Sequence, residues 1–220
     1  MKPMKTHLLL IGFSCTGKTF LAEKAFGTGT CIDSDREVCN WIGNKEKQQF
    51  DNVYKIYMGL GRERVLGLIE EAENALIERW ASDPCPRVVS LGPGFPLRDK
   101  WEQLRDVSYV ILLTKSPDRI YERMKERREK IFNRCPKAKE YDNWDIGVIV
   151  GEDRQEFPRE VAVGKIKALL DGRPIYREHD AEILADDGDA LEKLKELPLP
   201  APFALKNVLG GACRSFSLEL

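Results

Sequence analysis

Apolar residues in this chain of 220 come in short dense blocks separated by longer, mostly polar stretches. Residues 7–13 (HLLLIGF) form the first block. An apolar run that short and that continuous predicts a strand buried on both faces of a parallel sheet. Residues 87–91 (RVVSL) and 108–113 (SYVILL) predict two more strands of the same kind. A short strand is expected at 30–33 and an edge strand at 182–185. Helices are expected between them, at 18–26, 99–105, 117–132, 158–170 and 190–197. The region 46–80 reads as mostly helical with breaks near Gly59 and Gly61. Within it Val65, Leu66, Ile69, Ala72, Leu76 and Trp80 recur at helical spacing. Residues 133–157 mix Pro, Gly, Asp and aromatics with no period, which suggests a long mobile loop or lid.

Strands and helices alternate, so the expected fold is α/β, a doubly wound parallel sheet with helices on both faces. One domain over 1–197 and a C-terminal tail over 198–220 complete the expected organisation. Composition narrows the function. The net charge is -1, which gives no general attraction to nucleic acid or an anionic membrane. The apolar run after the basic Met1–Lys5 is too short for a signal peptide, and none is long enough to span a membrane. The six cysteines form no C-x-x-C pair, so reduced thiols and a cytoplasmic, monomeric protein are expected.

Candidate chemistry begins at Gly12-Phe13-Ser14-Cys15-Thr16-Gly17-Lys18-Thr19, a full G-x-x-x-x-G-K-[ST] pattern. It follows a predicted strand and opens a predicted helix, the context in which such a loop cradles phosphates with backbone N–H groups. Lys18 is expected to bridge the β- and γ-phosphates of ATP, and Thr19 to offer a hydroxyl to Mg²⁺. Gly12, Ser14, Cys15, Thr16 and Gly17 form the rest of the nucleotide site.

Asp33 and Asp35 end the second strand, at the sheet edge where ligands bind in open α/β folds. Two residues apart in an extended segment, they would point the same way. One carboxylate then serves the metal and the other an acceptor hydroxyl. The competing reading is an N-cap aspartate with a solvated neighbour. Gly92-Pro93-Gly94 ends the third strand at the same edge, where small residues leave room for a ligand. Arg119, Arg123 and Arg127 lie four apart on the charged helix. Phosphoryl transfer needs positive charge over the phosphates, and Arg127 or Arg128 is the expected source, with Arg134 next.

These features together resemble the shikimate kinase family, a branch of the nucleoside monophosphate kinase-like P-loop fold. Two further stretches extend the likeness: Arg173-Pro174-Ile175-Tyr176, similar to the family's R-x-P-L-Y, and Val88–Gly94, similar to its third strand and triple glycine. The resemblance covers roughly residues 5 to 197. It implies a three-layer P-loop fold with a five-stranded parallel sheet in the order 2-3-1-4-5 and a mobile lid. It implies ATP and Mg²⁺ as cofactors and transfer to a hydroxylated, carboxylate-bearing metabolite such as shikimate. Asp33 would be the metal-side aspartate and Asp35 the acceptor-side one. Gly92 and Gly94 would line the acceptor pocket, and Arg173 would pair with the acceptor's carboxylate.

The chain departs from the family where an acceptor-binding arginine is expected: that position is Leu66, with Arg62 and Arg64 nearby. Another hydroxylated metabolite, a nucleotide acceptor, or a nucleotide-binding regulator without transfer are the rival readings. A switch GTPase is disfavoured because Asn44-Lys45-Glu46-Lys47 lacks the aspartate of N-K-x-D.

Overall fold

The computed structural model describes residues 5–134, 136–137, 148–151, 155–172, 178–185 and 189–203. Five strands form one parallel sheet: β1 (His7–Ile11), β2 (Cys31–Asp33), β3 (Val88–Ser90), β4 (Ser108–Thr114) and β5 (Ala181–Leu184), in the order β2-β3-β1-β4-β5. All four pairings are parallel. Among the described residues there are eight α-helices: α1 (Lys18–Phe26), α2 (Ser34–Glu46), α3 (Val53–Leu60), α4 (Arg62–Ser82), α5 (Trp101–Asp106), α6 (Pro117–Arg134), α7 (Arg159–Gly172) and α8 (Ala190–Glu196).

The period of two along a strand explains the three layers. Leu9 and Ile11 of β1, with Val110 and Leu112 of β4, point into a core shared with α2, α3, α4 and α5. Leu8 and Leu10, with Ile111 and Leu113, point into a second core shared with α1 and α8. The inner strands β1, β3 and β4 are apolar at consecutive positions because each face has its own layer of helices. Burying one such side chain contributes about 1.5–3 kcal/mol relative to leaving it in water. Trp80 of α4 and Phe95 stack at 5.6 Å between ring centroids inside the first core.

Four sequence expectations change. Residues 34–46 form helix α2, which was not anticipated. It starts where the Asp33 side chain accepts from the N–H groups of Asp35 and Arg36, and it ends at Lys47 in the left-handed conformation. The helical region expected from residue 46 therefore begins only at α3, which Asn52 caps by accepting from the Lys55 N–H. Finally, the described part of the 133–157 span is packed. Val148, Ile149 and Val150 are buried in a third cluster with Phe13, Ile120, Tyr121 and Met124, and Phe157 donates to the Ile149 carbonyl. Residues 198–203 of the expected tail also pack, with Phe203 buried in the second core. Among the described residues no helix is long and apolar enough to cross a membrane.

Candidate active site

The carboxyl ends of β1, β2 and β3 open into one cleft. Its walls are the loop 14–19, Asp33–Asp35, Ser90–Pro93 and Arg127. The loop's shape comes from its glycines. Gly12 has φ 145°, and a Cβ there would run into the Leu113 carbonyl of β4. Only a residue without a side chain lets the loop pass that close to the sheet. Cys15, at φ 66°, is also left-handed. Thr16 donates to the Phe13 carbonyl at 3.0 Å and braces the curl. Helix α1 starts at Lys18, so its first amide groups face the cleft as an anion site.

Lys18 Nζ donates to the carbonyls of Gly12 and Phe13, both at 3.0 Å. Burial pushes its ammonium down to about 8, against the pull of the Asp35 and Asp33 charges. The lysine is thus held on its own loop by two carbonyls at the cleft.

Thr19 Oγ1 lies 3.1 Å from Asp33 Oδ2 and 2.9 Å from Ser90 Oγ. Asp33 Oδ1 caps α2, accepting from Asp35 N at 3.0 Å and Arg36 N at 3.4 Å. The N-cap reading of Asp33 holds for Oδ1, while Oδ2 is turned to the Thr19 hydroxyl at the cleft. The extended Asp33-Ser34-Asp35 segment does not form, because Asp35 sits in the first turn of α2. Its carboxylate reaches the cleft from the helix, and Oδ1 lies 2.8 Å from where a Cβ on Gly92 would be. Ser34, between the two aspartates, accepts from the Gly92 N–H at 2.7 Å and ties α2 to the turn after β3. The cleft walls and then the Asp33 charge push the Asp35 carboxyl up, while Lys18 and Arg127 pull it down. The residue nevertheless stays open to solvent through the cleft mouth, so water tempers the push.

Hard oxygen donors suit magnesium, which typically takes one or two protein groups plus substrate phosphates. The Thr19 hydroxyl and Asp33 carboxylate fit that role beside the phosphate loop, with Ser90 completing the set. Among the described residues no three His, Cys, Asp or Glu cluster into a metal site of their own. A cation here would lean on the nucleotide.

The two arginines expected to act separate. Arg127 lines the cleft, within reach of Cys15, Tyr54 and Asp35. Arg128 turns away, donates to Glu156 at 2.6 Å and stacks over Phe132. Arg134 is exposed at the end of α6. Arg123, one turn before Arg127, donates to the Cys15 carbonyl at 3.2 Å and lies against Gly17. It supports the loop, a role that its place on the arginine face alone did not reveal. Gly92 and Pro93 line the cleft, but Gly94 instead packs on Glu73. Arg64 pairs with Glu46 at 2.5 Å. Arg62 makes no ion pair among the described residues, although its charge lowers Tyr57 against the larger upward effect of burial. Leu66 is 52% exposed. Arg173 lies outside the described residues.

No family model and no curated protein matches the sequence. Solved structures do match the fold. Shikimate kinase from Bacteroides thetaiotaomicron superposes with a TM-score of 0.56 at 19% identity, over 87% of this chain and 97% of that one. Shikimate kinase from Acinetobacter baumannii, solved in complex with shikimate, gives 0.56 at 17% identity, over 87% and 89%. The strand order expected from the sequence and the one observed agree with this P-loop kinase fold.

Proposed function

We propose that the protein is an ATP-dependent small-molecule kinase that moves the γ-phosphoryl group to a metabolite hydroxyl, with shikimate the leading acceptor. One observation carries the reading. A single cleft holds the phosphate-loop lysine, a hydroxyl and carboxylate pair at Thr19 and Asp33, and a second carboxylate, Asp35, on the facing wall. A loop that only stored nucleotide would have no need of Asp35.

In this reading Lys18 and Arg127 offset the charge on the transferring group. Asp35 accepts a hydrogen bond from the acceptor hydroxyl. As that oxygen bonds to the γ-phosphorus and the bond to ADP breaks, the hydroxyl proton passes to Asp35. A carboxyl raised above its ordinary range is a better base for this task. Magnesium, when bound between Thr19 and Asp33, would draw charge from the β- and γ-phosphates.

Shikimate is supported by the likeness of fold, whereas Arg173 directly precedes Pro174, one residue closer than the arginine in R-x-P-L-Y. A different hydroxylated acceptor is favoured by two observations: Leu66 is exposed where the resemblance expects an arginine, and Gly94 faces Glu73. ADP release measured over shikimate, other hydroxy acids, sugars and nucleotides separates these readings. Turnover on shikimate is the expected result. Turnover only on another compound moves the acceptor, and tight ATP binding with no turnover on any of them overturns the kinase reading.

A further inference from the structure

The Asp35 carboxylate accepts no hydrogen bond among the described residues, and its neighbours act on it only through burial and charge. Its direction is therefore set by what it packs against. One contact does this at the cleft. Asp35 Oδ1 lies 2.8 Å from where a Cβ on Gly92 would be, so the carboxylate rests close against the bare backbone of the turn after β3.

Strand register brings the two together. Asp33 of β2 pairs with Ser90 of β3 at the last step of their parallel ladder. Beyond it α2 begins and the two chains part. Leu91 still bonds to β1, donating to the Leu10 carbonyl at 3.0 Å. The Gly92 N–H has lost its neighbouring strand, and a part-buried N–H needs an acceptor. Ser34, fully buried at the start of α2, supplies its Oγ at 2.7 Å. A side chain thus continues the ladder that the backbone of β2 has left.

The same bond removes Gly92 as a donor to ligands, and Pro93 has no N–H to give. Both residues line the cleft beside Ser34 and Asp35. At these two positions the turn is a wall and not a donor. Its far side is fixed as well. Glu73 Oε1 lies 2.6 Å from where a Cβ on Gly94 would be, and the Nε of Arg98 donates to Glu73 Oε2 at 2.5 Å.

We propose that Ser34 is a positioning residue for the transfer step: by clasping the Gly92 amide it holds the turn against Asp35 and so sets where that carboxylate meets the acceptor hydroxyl. The inference deepens the kinase reading and rests on it. In this role Ser34 acts through Asp35 and not on the substrates.

The test is a double-mutant cycle on the full chain. Steady-state kinetics use the acceptor that wild type turns over fastest, and ATP affinity is read by titration calorimetry. Ser34→Ala is expected to lower kcat roughly 10- to 100-fold, the scale set by a displacement of about 1 Å at reacting groups. ATP affinity should stay within about threefold. Gly92→Ala should lower kcat in the same range, because its Cβ displaces the Asp35 carboxylate directly. In the Asp35→Asn background, Ser34→Ala should change the residual rate by less than about threefold, since no base is left to position. If Ser34→Ala does not fold, Ser34→Cys, with a weak sulfur acceptor in place of the hydroxyl, carries the cycle together with Gly92→Ala. Full kcat in Ser34→Ala or Gly92→Ala, equal losses with and without Asp35, or a parallel fall in ATP affinity overturns the proposal and leaves the kinase reading standing. A wild type that binds ATP but phosphorylates no acceptor brings both down.

Discussion

At the nucleotide end of the cleft, contacts are mostly local in sequence. Lys18 reaches back to Gly12 and Phe13, and Thr19 meets Asp33 only 14 residues away. At the end proposed for the acceptor, Asp35 comes from α2, Gly92 and Pro93 from the turn after β3, and Arg127 from α6. The first end is an arrangement of backbone that a short motif encodes. The second exists only once several helices have docked. Nucleotide binding should therefore tolerate changes at the acceptor end, while acceptor choice should respond to substitutions far apart in the chain.

The largest expected effect falls where the two ends meet. Asp35→Asn keeps the shape of the cleft wall but removes the proton acceptor, so turnover should drop by about a thousandfold. ATP affinity, measured by titration calorimetry, should stay within about threefold. A fully active variant would break the division between the two ends.

Next come the neighbouring arginines. Arg127→Ala should lower kcat by roughly 10²- to 10³-fold, because Arg127 lines the cleft and in the proposed reaction offsets charge on the phosphoryl group. Arg128→Ala should change kcat by less than about threefold, because its guanidinium is held by Glu156. Equal effects from the two variants would mean that α6 presents a different face to the nucleotide.

A smaller effect sharpens the nucleotide end alone. Burial holds Lys18 near 8 in the free protein, and a bound triphosphate favours the ammonium. Above that pH, binding must take up a proton, so ATP affinity should fall by about tenfold per pH unit. Below it the affinity should be flat with respect to this group. In Lys18→Met the slope should vanish.

Legibility follows the same division. The buried parallel strands were readable because each of HLLLI, VVS and SYVILL is apolar without alternation, as a sheet covered on both faces requires, while their order came from the family resemblance. The phosphate loop was readable because its chemistry lies in consecutive backbone groups. Asp33 and Asp35 were readable as a pair, but their geometry was not. The helix they open, SDREVCNWIGNKE, places charges through much of its length. The available signal was an N-cap aspartate followed by Asp35 and Glu37 in the first turn, with Val38 and Ile42 one turn apart. The Glu73–Arg98 pair was not readable, because a contact 25 residues apart depends on how α4 docks against the turn. Arg128 looked equivalent to Arg127 because one helical position, about 100° of rotation, decides which of them faces the cleft.

The smallest predicted effect lies far from the site and serves as a control. His7, at the start of β1, is fully buried, and neither ring nitrogen has a hydrogen-bond partner among the described residues. Burial lowers its pKa from the ordinary 6.5, although the nearby backbone of Trp80 and the charge of Asp83 favour the proton. The unfolded chain then binds the proton more readily, so stability is complete above about pH 6.5 and declines as the pH falls below it. The slope should not exceed about 1.4 kcal/mol per pH unit. Denaturant titrations of wild type and His7→Leu across pH 5 to 7.5 check it, since the variant should lose this part of the slope. Turnover in the variant should be unaffected at neutral pH.

The most direct test of transfer, as opposed to storage, is ³¹P NMR of the wild-type protein with ATP, magnesium and an acceptor from the hydroxy-acid panel. The γ-phosphate signal should disappear as ADP and a phosphomonoester signal grow together, and Asp35→Asn should bind ATP while producing neither. Release of inorganic phosphate alone, or ATP that stays bound and intact with every acceptor, would contradict the account.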